Sequence, residues 1–234
     1  SHGTRAEDSV KTEEPLRTVL ERFSEYLDSP GSQDVVFTWH GGEPLLAGKR
    51  FFRTVLQLQA HLFAGRSHRI SNLIQSNLTL LDEEFAAVLS ELTGNRGVGT
   101  SFDIDPQIRP LVGSRSYEEL WFDAIEILRC RGMRFGLSYV VHRYSLGQEK
   151  KLYYYFKNLA RGVSLRCNPL YQLGRGAEAD ARCYHITPQE CGEFLIRLTE
   201  VWNDDGRTMR LLPVSEWLQH IEVDGSKGPL TCDS

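Results

Sequence analysis

Strand-like and helix-like segments alternate along the chain, and this alternation most constrains what it can fold into. After a helix predicted over 13–27, five strand–helix units follow at roughly 30 residues each, the length of a βαβ repeat. This succession predicts a parallel sheet with right-handed crossovers, either open and doubly wound or curled into a barrel. In both architectures the ligand lies at the carboxyl ends of the strands, so a site is expected there.

The predicted elements begin with a helix rather than a strand. The predicted strands are 35–39, 70–75, 97–102, 135–141 and 163–167, and the later helices are 49–63, 82–92, 117–131, 149–159 and 187–204, with a shorter one at 212–221. The first strand, Val35–Trp39, has apolar residues on both faces and is predicted to be buried on both. Because a first helix should follow a strand that it covers, we expect another strand ahead of residue 1.

Composition excludes several classes of protein. With 27 Lys and Arg against 31 Asp and Glu, the chain has no basic excess for an extended nucleic-acid surface. No apolar run approaches the roughly 20 residues of a membrane span, and the first residues do not resemble an export signal. The five cysteines form no closely spaced pair, so neither a zinc site nor a disulfide framework is expected. We therefore expect a cytoplasmic protein that binds neither nucleic acid nor membrane.

Hydrogen-bonding residues cluster at the carboxyl ends of the predicted strands. These ends carry His40–Pro44, Gln75–Asn77, Ser101–Asp103, His142–Arg143 and Asn168–Leu170. Gly41 and Gly42 leave main-chain groups bare for a ligand to approach, and Glu43 supplies a fixed anion for an ammonium or a ribose hydroxyl. From these residues alone, an ordinary turn between a strand and a helix explains the segment equally well.

A glycine-rich segment at residues 35–48 resembles the GGE segment that follows the second strand of radical S-adenosylmethionine enzymes. It reads VVFTWHGGEPLLAG, and it is most similar to the SPASM-domain branch, which contains peptide maturases and anaerobic sulfatase-maturating enzymes. Other segments follow in the family's order: 74–81 resembles its QTNGTLL, 98–103 its VGISLDG, 168–170 its sixth-strand proline motif and 187–190 the helix beyond. The resemblance spans about residues 10–204 and implies a partial (β/α)6 barrel of parallel strands.

The sequence also departs from that family. The family's first strand and its CxxxCxxC loop, whose thiolates hold a [4Fe–4S] cluster, are absent, so these cluster ligands are expected outside this sequence. Leu78 and Ile104 stand where the family usually has glycine. Residues 228–232 resemble the point where the first auxiliary-cluster cysteine appears, which makes Cys232 a candidate metal ligand. We predict a partial core barrel at 1–204 and, at 205–234, a linker with the start of a truncated SPASM domain.

The resemblance implies cofactor-binding roles for nine residues. They are Gly41, Gly42, Glu43, Asn77, Ser101, Arg109, Arg115, Asn168 and Leu170. The main chain of Gly41 and Gly42 would take the amino group of S-adenosylmethionine, with Glu43 nearby. Asn77 would lie near the nucleoside, and Ser101 near the methionyl carboxylate or the ribose.

The remaining implied roles concern the carboxylate, the adenine and the substrate. Arg109 or Arg115 would pair with the methionyl carboxylate, because a planar guanidinium suits that group, and the sequence does not choose between them. Asn168 and Leu170 would line the adenine side. Asp103 is either a catalytic carboxylate on the substrate side or a turn-forming residue.

As a member of this family, the protein would generate a 5′-deoxyadenosyl radical that abstracts hydrogen from a peptide or protein. The expected product is a crosslinked or epimerised peptide, with formylglycine formation in a sulfatase as the nearest alternative. The resemblance also implies auxiliary [4Fe–4S] clusters and an external electron donor of the flavodoxin or ferredoxin type. Two other classes stay open: a hydrolase or lyase with Glu43 and Asp103 as acid and base, roughly 5–10 Å apart, and a non-catalytic peptide-binding barrel.

Overall fold

Strands and helices alternate through the computed structural model, which describes residues 3–104, 115–159, 163–170 and 179–223. The helices are α1 (Gly3–Leu27), α2 (Gly48–Leu62), α3 (Glu83–Thr93), α4 (Tyr117–Cys130), α5 (Glu149–Leu159), α6 (Pro188–Asp204) and α7 (Val214–Val223). The strands are β1 (Val35–Trp39), β2 (Ile70–Ser76), β3 (Val98–Ser101), β4 (Phe135–Val141), β5 (Leu165–Pro169) and β6 (Leu211–Leu212). None of the described helices has the length and apolar character that a bilayer span requires.

The chain divides into two compact units, at 1–135 and 136–234. In the first unit, β1 pairs with β2 and β2 with β3, in parallel and in chain order. In the second unit, β4 pairs with β5 and β5 with β6, again in parallel. This alternation and this pairing confirm the predicted α/β fold class with parallel strands.

The strands of the first unit are packed on one face and open on the other. Alternate side chains of a strand point to opposite faces of the sheet. The buried set consists of Val35, Phe37, Asn72, Ile74, Ser76, Val98 and Thr100. On the opposite face Val36 is 47% exposed and Thr38 is exposed as well. The prediction that β1 is buried on both faces is therefore wrong, because the described residues of this unit cover only one.

Helices α1 and α2 cover the packed face of β1 and β2. The rings of Phe23 and Phe37 meet edge to face, with 5.2 Å between their centroids. Behind β1, the buried amides of Gln59 and Asn72 exchange hydrogen bonds of 3.0 and 2.9 Å. Trp39 Nε1 donates to Asn72 Oδ1 at 2.9 Å. The network satisfies buried polar groups and fixes Trp39, the last residue of β1.

An arginine pair, Arg66 and Arg69, fastens the amino ends of β1 and β2. Arg66 donates to the carbonyl and the hydroxyl of Ser24 at 3.0 and 2.8 Å and to the carbonyl of Leu62 at 3.2 Å. It also forms an ion pair with Asp28. Arg66 therefore ties the last turn of α2 to α1.

The second member of the pair acts on the segment between α1 and β1. Arg69 donates to the Leu27 carbonyl at 3.2 Å, to the Ser32 hydroxyl at 3.1 Å and to the Ser32 carbonyl at 2.6 Å. Its Nε lies 3.1 Å from Asp34 Oδ1. These bonds hold the turn around Gly31, and the carbonyls that end α1 gain donors that the helix itself cannot provide.

A carboxylate organises the corresponding end of the second unit, just before β6. Asp205 accepts hydrogen bonds from Lys157 at 2.6 Å, from Tyr153 at 2.8 Å and from the Thr208 hydroxyl. The hydrogen bond from Lys157, with those from Thr208 and Tyr153, lowers the pKa of Asp205 to about 2. Burial, followed by the bond to Asp205, raises the pKa of Tyr153 to about 12.

The predicted and the observed helices and strands differ most near the first and the last of the described residues. The first helix begins at Gly3 rather than at Glu13, and β6 was not predicted. A strand of two residues carries no period from which it could be recognised. The strand predicted at 163–167 lies at 165–169, so Asn168 belongs to β5 itself. Cys167 is buried in that strand, and burial raises the pKa of its thiol to about 12, as suits a small apolar residue.

Candidate active site

The loop after β1 presents two consecutive glycines in the left-handed region. Gly41 has φ +107° and Gly42 has φ +55°, and both are exposed. A Cβ built on either residue meets nothing within 4 Å. A side chain there would be strained and would project into open space next to the main chain. No side chain therefore covers the main-chain N–H and C=O groups of Gly41 and Gly42, and their role in binding a ligand stays a prediction.

Glu43 fixes this loop to the end of β2. Its Oε1 accepts from the Ser76 hydroxyl at 2.7 Å and from the Leu45 amide at 3.0 Å. Its Oε2 accepts from the Asn77 amide at 2.8 Å. Both carboxylate oxygens thus bind groups of the chain, so the side chain predicted to lie near the cofactor acts as a tether between two strand ends.

The turn after β2 is built from its own side chains. Asn77 Oδ1 accepts from the amide and the hydroxyl of Thr79 at 3.0 and 2.8 Å, which closes an Asx turn. The Ser76 hydroxyl, which donates to Glu43, accepts from the Leu78 amide at 2.9 Å. The role of Ser76 was missed, although the residue lies within Gln75–Asn77, a strand end that the sequence singled out.

Leu78 occupies a backbone conformation that favours glycine. Its φ is +61°, and its side chain is completely buried. The family that the sequence resembles usually has glycine at this position, and the positive φ supplies the reason. Here a bulky residue keeps the same turn, so burial of the leucine offsets the strain of the left-handed backbone.

The end of β3 holds the third group of predicted residues. The Ser101 carbonyl accepts from the Tyr117 hydroxyl at 2.5 Å, and Asp103 is buried two residues further on. A Cβ on Gly99 would lie 2.0 Å from Gln75 Oε1, so the Gln75 side chain crosses β3 where glycine leaves room. A side chain at position 99 would displace the flexible end of Gln75.

Of the two arginine candidates, Arg115 lies within the described residues. Arg115 is about half exposed and its Nη2 lies 2.7 Å from Asp123 Oδ2 of α4. It lines a cavity of about 470 Å³ together with residues of the β2–α3 turn, among them Leu81 and Asp82. Arg109 lies outside the described residues. The choice between the two as a carboxylate ligand stays a prediction.

In the second unit, the predicted pair lies where β5 ends. Asn168 is half-buried in β5, opposite Val140 of β4. The Leu170 amide donates to the Val141 carbonyl at 3.2 Å, which extends the pairing one residue past the strand. Their proposed place beside an adenine stays a prediction.

Metal ligands do not gather in the residues that the structure describes. Within 3–104, 115–159, 163–170 and 179–223, no three His, Cys, Asp or Glu side chains are arranged to hold an ion. Cys232, the candidate auxiliary-cluster ligand, lies outside these ranges. The predicted clusters therefore stay predictions that rest on the resemblance alone.

No family model matches the chain, but curated proteins and solved structures are similar to it. The chain is 29% identical over 202 residues to the serine-type anaerobic sulfatase-maturating enzyme of Bacteroides thetaiotaomicron, covering 79% of this chain and 48% of that enzyme. It is 29% identical over 205 residues to the cysteine-type enzyme of Clostridium perfringens, covering 84% and 52%. The solved structure of native anSMEcpe with bound AdoMet and Cp18Cys peptide matches with a TM-score of 0.72 and 26% identity, covering 92% of this chain and 59% of that one.

These comparisons define the fold class. The alternating strands and helices match a partial α/β barrel of the radical S-adenosylmethionine type, as predicted. By sequence, the chain is similar to anaerobic sulfatase-maturating enzymes of both the serine type and the cysteine type. The chain spans about half the length of the curated enzymes named above.

Proposed function

We propose that this chain forms the S-adenosylmethionine-binding part of a radical S-adenosylmethionine enzyme that modifies a peptide or protein side chain. The observation that carries the proposal is the open Gly41–Gly42 loop, which Glu43 ties to the end of β2. An ammonium group needs oxygen acceptors at a fixed place, and main-chain groups without side chains above them meet that need. The residues present therefore fit the amino group of this cofactor.

Each further role comes from the family resemblance, and its residue lies at a strand end. When bound with its [4Fe–4S] cluster, S-adenosylmethionine supplies a 5′-deoxyadenosyl radical that takes hydrogen from the substrate. Asn77 and Ser101 orient the nucleoside and the methionyl or ribose oxygens, and Asn168 with Leu170 lines the adenine. Asp103, buried just beyond β3, faces the substrate. The chain's task is to hold the reacting groups in place and keep water away.

We further propose formylglycine formation as the reaction, in place of the crosslinking or epimerisation that the sequence first suggested. The support is that the named curated relatives are serine-type and cysteine-type sulfatase-maturating enzymes. The substrate would then be a serine or cysteine side chain of a sulfatase. A cytoplasmic location, an electron donor of flavodoxin or ferredoxin type and an auxiliary cluster that includes Cys232 belong to the same proposal.

The bonds of Glu43 weigh against a hydrolase or lyase that uses it as an acid or base. A general acid or base needs an oxygen that reaches the substrate. Each oxygen of this carboxylate already accepts hydrogen bonds from the chain. Protonation or displacement of Glu43 would release the Ser76 hydroxyl and the Asn77 amide, so its chemistry suits a tether.

The full protein, prepared without oxygen and reduced with dithionite, provides the test. We expect iron–sulfur absorption, formation of 5′-deoxyadenosine, and conversion of a serine or cysteine in a sulfatase-type peptide to an aldehyde. Mass spectrometry and aldehyde labelling measure the product. Cofactor cleavage with a crosslinked or epimerised peptide would overturn the formylglycine assignment, and the absence of cofactor cleavage would overturn the whole proposal.

The tether has its own test in Glu43→Gln, with Glu118→Gln as the matched control on the exposed side of α4. An amide offers only one acceptor oxygen, and its NH2 group would face the Asn77 amide, so the loop loses its anchor. We expect S-adenosylmethionine affinity to fall roughly tenfold or more in the first variant, about 1.4 kcal/mol, and to stay unchanged in the second. Equal affinity in both variants would show that the tether is dispensable.

A further inference from the structure

A pocket in the second unit lies at the amino end of β6, away from the strand end that carries Asn168 and Leu170. It measures about 310 Å³, and Arg207, Arg210, Ser215 and Gln219 contribute polar groups to its lining. Trp202 and Leu218 contribute apolar surface. We call this cavity the basic pocket. Its volume is at the small end of the range for small-molecule sites.

Arg207 is held in the basic pocket by two contacts. Its Nε donates to Asn203 Oδ1 at 2.8 Å, and its guanidinium carbon lies 5.2 Å from the centre of the Trp202 ring. The Nη groups are left to bind something else. Within the described residues, Arg207 has no carboxylate partner. A guanidinium fixed in this way loses little freedom when it binds a ligand.

The backbone of Arg207 is strained. Its φ is +57°, directly after Gly206 with φ +70°, at the end of α6. Glycine is the ordinary residue in the left-handed conformation, and a side chain there destabilises the fold. Strained backbone conformations of this kind cluster at functional sites. The strain at Arg207 is therefore a reason to ask what its side chain binds.

The carboxylates near the basic pocket are already paired. Glu216 lies 3.2 Å from Arg166 and 3.8 Å from Arg210. Asp205 is held by Lys157 at 2.6 Å. Glu216 thus pairs most closely with Arg166 and only at longer distance with Arg210. Among the described residues, Arg207 therefore brings a positive charge to the pocket that no carboxylate pairs.

We propose that the basic pocket binds a small molecule that carries an oxyanion, as a phosphate or carboxylate group. The planar guanidinium of Arg207 is suited to bidentate contact with such a group, and Arg210 adds a second cation. Ser215 Oγ accepts from the Leu211 amide at 3.1 Å, which leaves its own O–H to donate to the ligand. The site is separate from the proposed active site and does not depend on that proposal.

A structural role for Arg207 makes a different prediction. A cation near the end of α6 interacts favourably with the helix dipole, and its stacking on Trp202 adds to stability. If these contacts explain Arg207, replacing it destabilises the fold and leaves anion binding unchanged. If the proposal is right, Arg207→Gly relieves the strained backbone and removes the ligand's main donor.

Isothermal titration of the full protein at low ionic strength tests the proposal with three probes: inorganic phosphate, glycerol phosphate and acetate. We expect at least one of them to bind with a stoichiometry of one, and the preferred probe identifies the ligand as a free phosphate, a phosphate ester or a carboxylate. Arg207→Gly and Arg210→Gln are each expected to weaken that binding at least tenfold. Arg50→Gln, on the exposed side of α2, is the control and is expected to bind as the unaltered protein does.

Circular dichroism and thermal unfolding without anion complete the experiment. Arg207→Gly is expected to unfold at the same temperature as the unaltered protein or above it. The proposal would be overturned if none of the three probes binds, or if both pocket variants bind the preferred probe as tightly as the unaltered protein does. Because neither measurement uses the radical reaction, the outcome is independent of the proposed activity.

Discussion

The two ends of β1 and β2 are held by groups of opposite charge. At the amino ends, Arg66 and Arg69 donate hydrogen bonds to carbonyls and hydroxyls of α1, α2 and the turn before β1. At the carboxyl ends, one carboxylate, Glu43, accepts hydrogen bonds from two amides and a hydroxyl. Each anchor matches the main-chain groups around it, because helices end in carbonyls without donors and the loops after strands offer free N–H groups.

Because the two anchors differ, the first unit has one strand end that serves stability and another that is open for binding. The arginine pair fills the amino ends with long side chains, so these ends are closed. The shorter glutamate ties its loop to β2 at a point after the glycines, so Gly41 and Gly42 stay open. We therefore expect changes at the amino ends to alter the free energy of unfolding, and changes at the carboxyl ends to alter ligand affinity.

The largest expected effect comes from placing valine at a left-handed glycine of each end. Gly42→Val and Gly31→Val are matched, since these residues have φ +55° and +78° and open space around them. Both variants should lose roughly 1–2 kcal/mol of stability from backbone strain. Only Gly42→Val should lose S-adenosylmethionine affinity, by about 100-fold or 2.8 kcal/mol, as measured by calorimetry. If the two variants lost affinity equally, the carboxyl ends would not be the only ends that affect binding.

Removal of an arginine should produce the opposite pattern. Arg69→Ala deletes four hydrogen-bonding contacts at the amino end and should lower the free energy of unfolding by about 2–3 kcal/mol. Cofactor affinity of the folded protein should not change. Denaturant titration and calorimetry measure the two quantities, with Arg50→Ala as control. A loss of affinity without a loss of stability would contradict the separation.

A smaller effect distinguishes strain from packing at the carboxyl end of β2. Leu78→Ala and Leu78→Gly both remove a buried side chain, and both should destabilise the protein by roughly 2–4 kcal/mol. Because φ is +61° at this position, glycine should be the less harmful of the two by about 1 kcal/mol. In the interior of helices and strands the order is the opposite, because glycine is there less favourable than alanine. If alanine proves the better substitute in denaturant titration, the left-handed turn does not persist in solution.

The smallest effect extends the comparison to the second unit, where a carboxylate anchors an amino end. The pKa of Asp205 is lowered to about 2, mainly by its bond with Lys157. A lowered folded-state pKa contributes stability that is present above the unfolded value of 3.8 and is lost as the pH falls towards 2. Asp205→Asn should therefore be less stable at neutral pH and should lose less stability between pH 4 and pH 2.

The control for this prediction is Asp204→Asn. Asp204 is exposed, and its side chain makes no hydrogen bond or ion pair within the part of the chain that the structure describes. The acid unfolding curve of Asp204→Asn should match that of the unaltered protein. If Asp205→Asn follows the same curve, Lys157 does not hold the carboxylate in solution.

Sequence patterns predicted the elements that have a clear period. The strands Val35–Trp39 and Phe135–Val141 and the helix Glu149–Leu159 have the bounds that the sequence predicted. The strand Leu211–Leu212 was missed because two residues show no alternation. Exposure was misjudged at Val36, since a β-branched residue in a strand does not reveal whether a second layer covers it.

The candidate site shows the same limit. Gly41 and Gly42 were identified as an open loop, and the structure gives them the left-handed backbone that only glycine adopts easily. The sequence placed Glu43 near the cofactor, and that role stays a prediction. It did not show that the carboxylate binds Ser76, Asn77 and Leu45. A motif shows that a residue type is needed, but contacts between distant segments decide what its atoms touch.

The open face of the first unit has a consequence for how such a protein can change. Thr38, Ser71 and Leu73 alternate with buried positions on the same strands, so they can vary without disturbing the packed face. Gln75 is the exception, because its side chain lies against Gly99. Residues that can vary thus stand next to residues that packing holds constant, and the open face can change over evolution while the packed face is inherited unchanged.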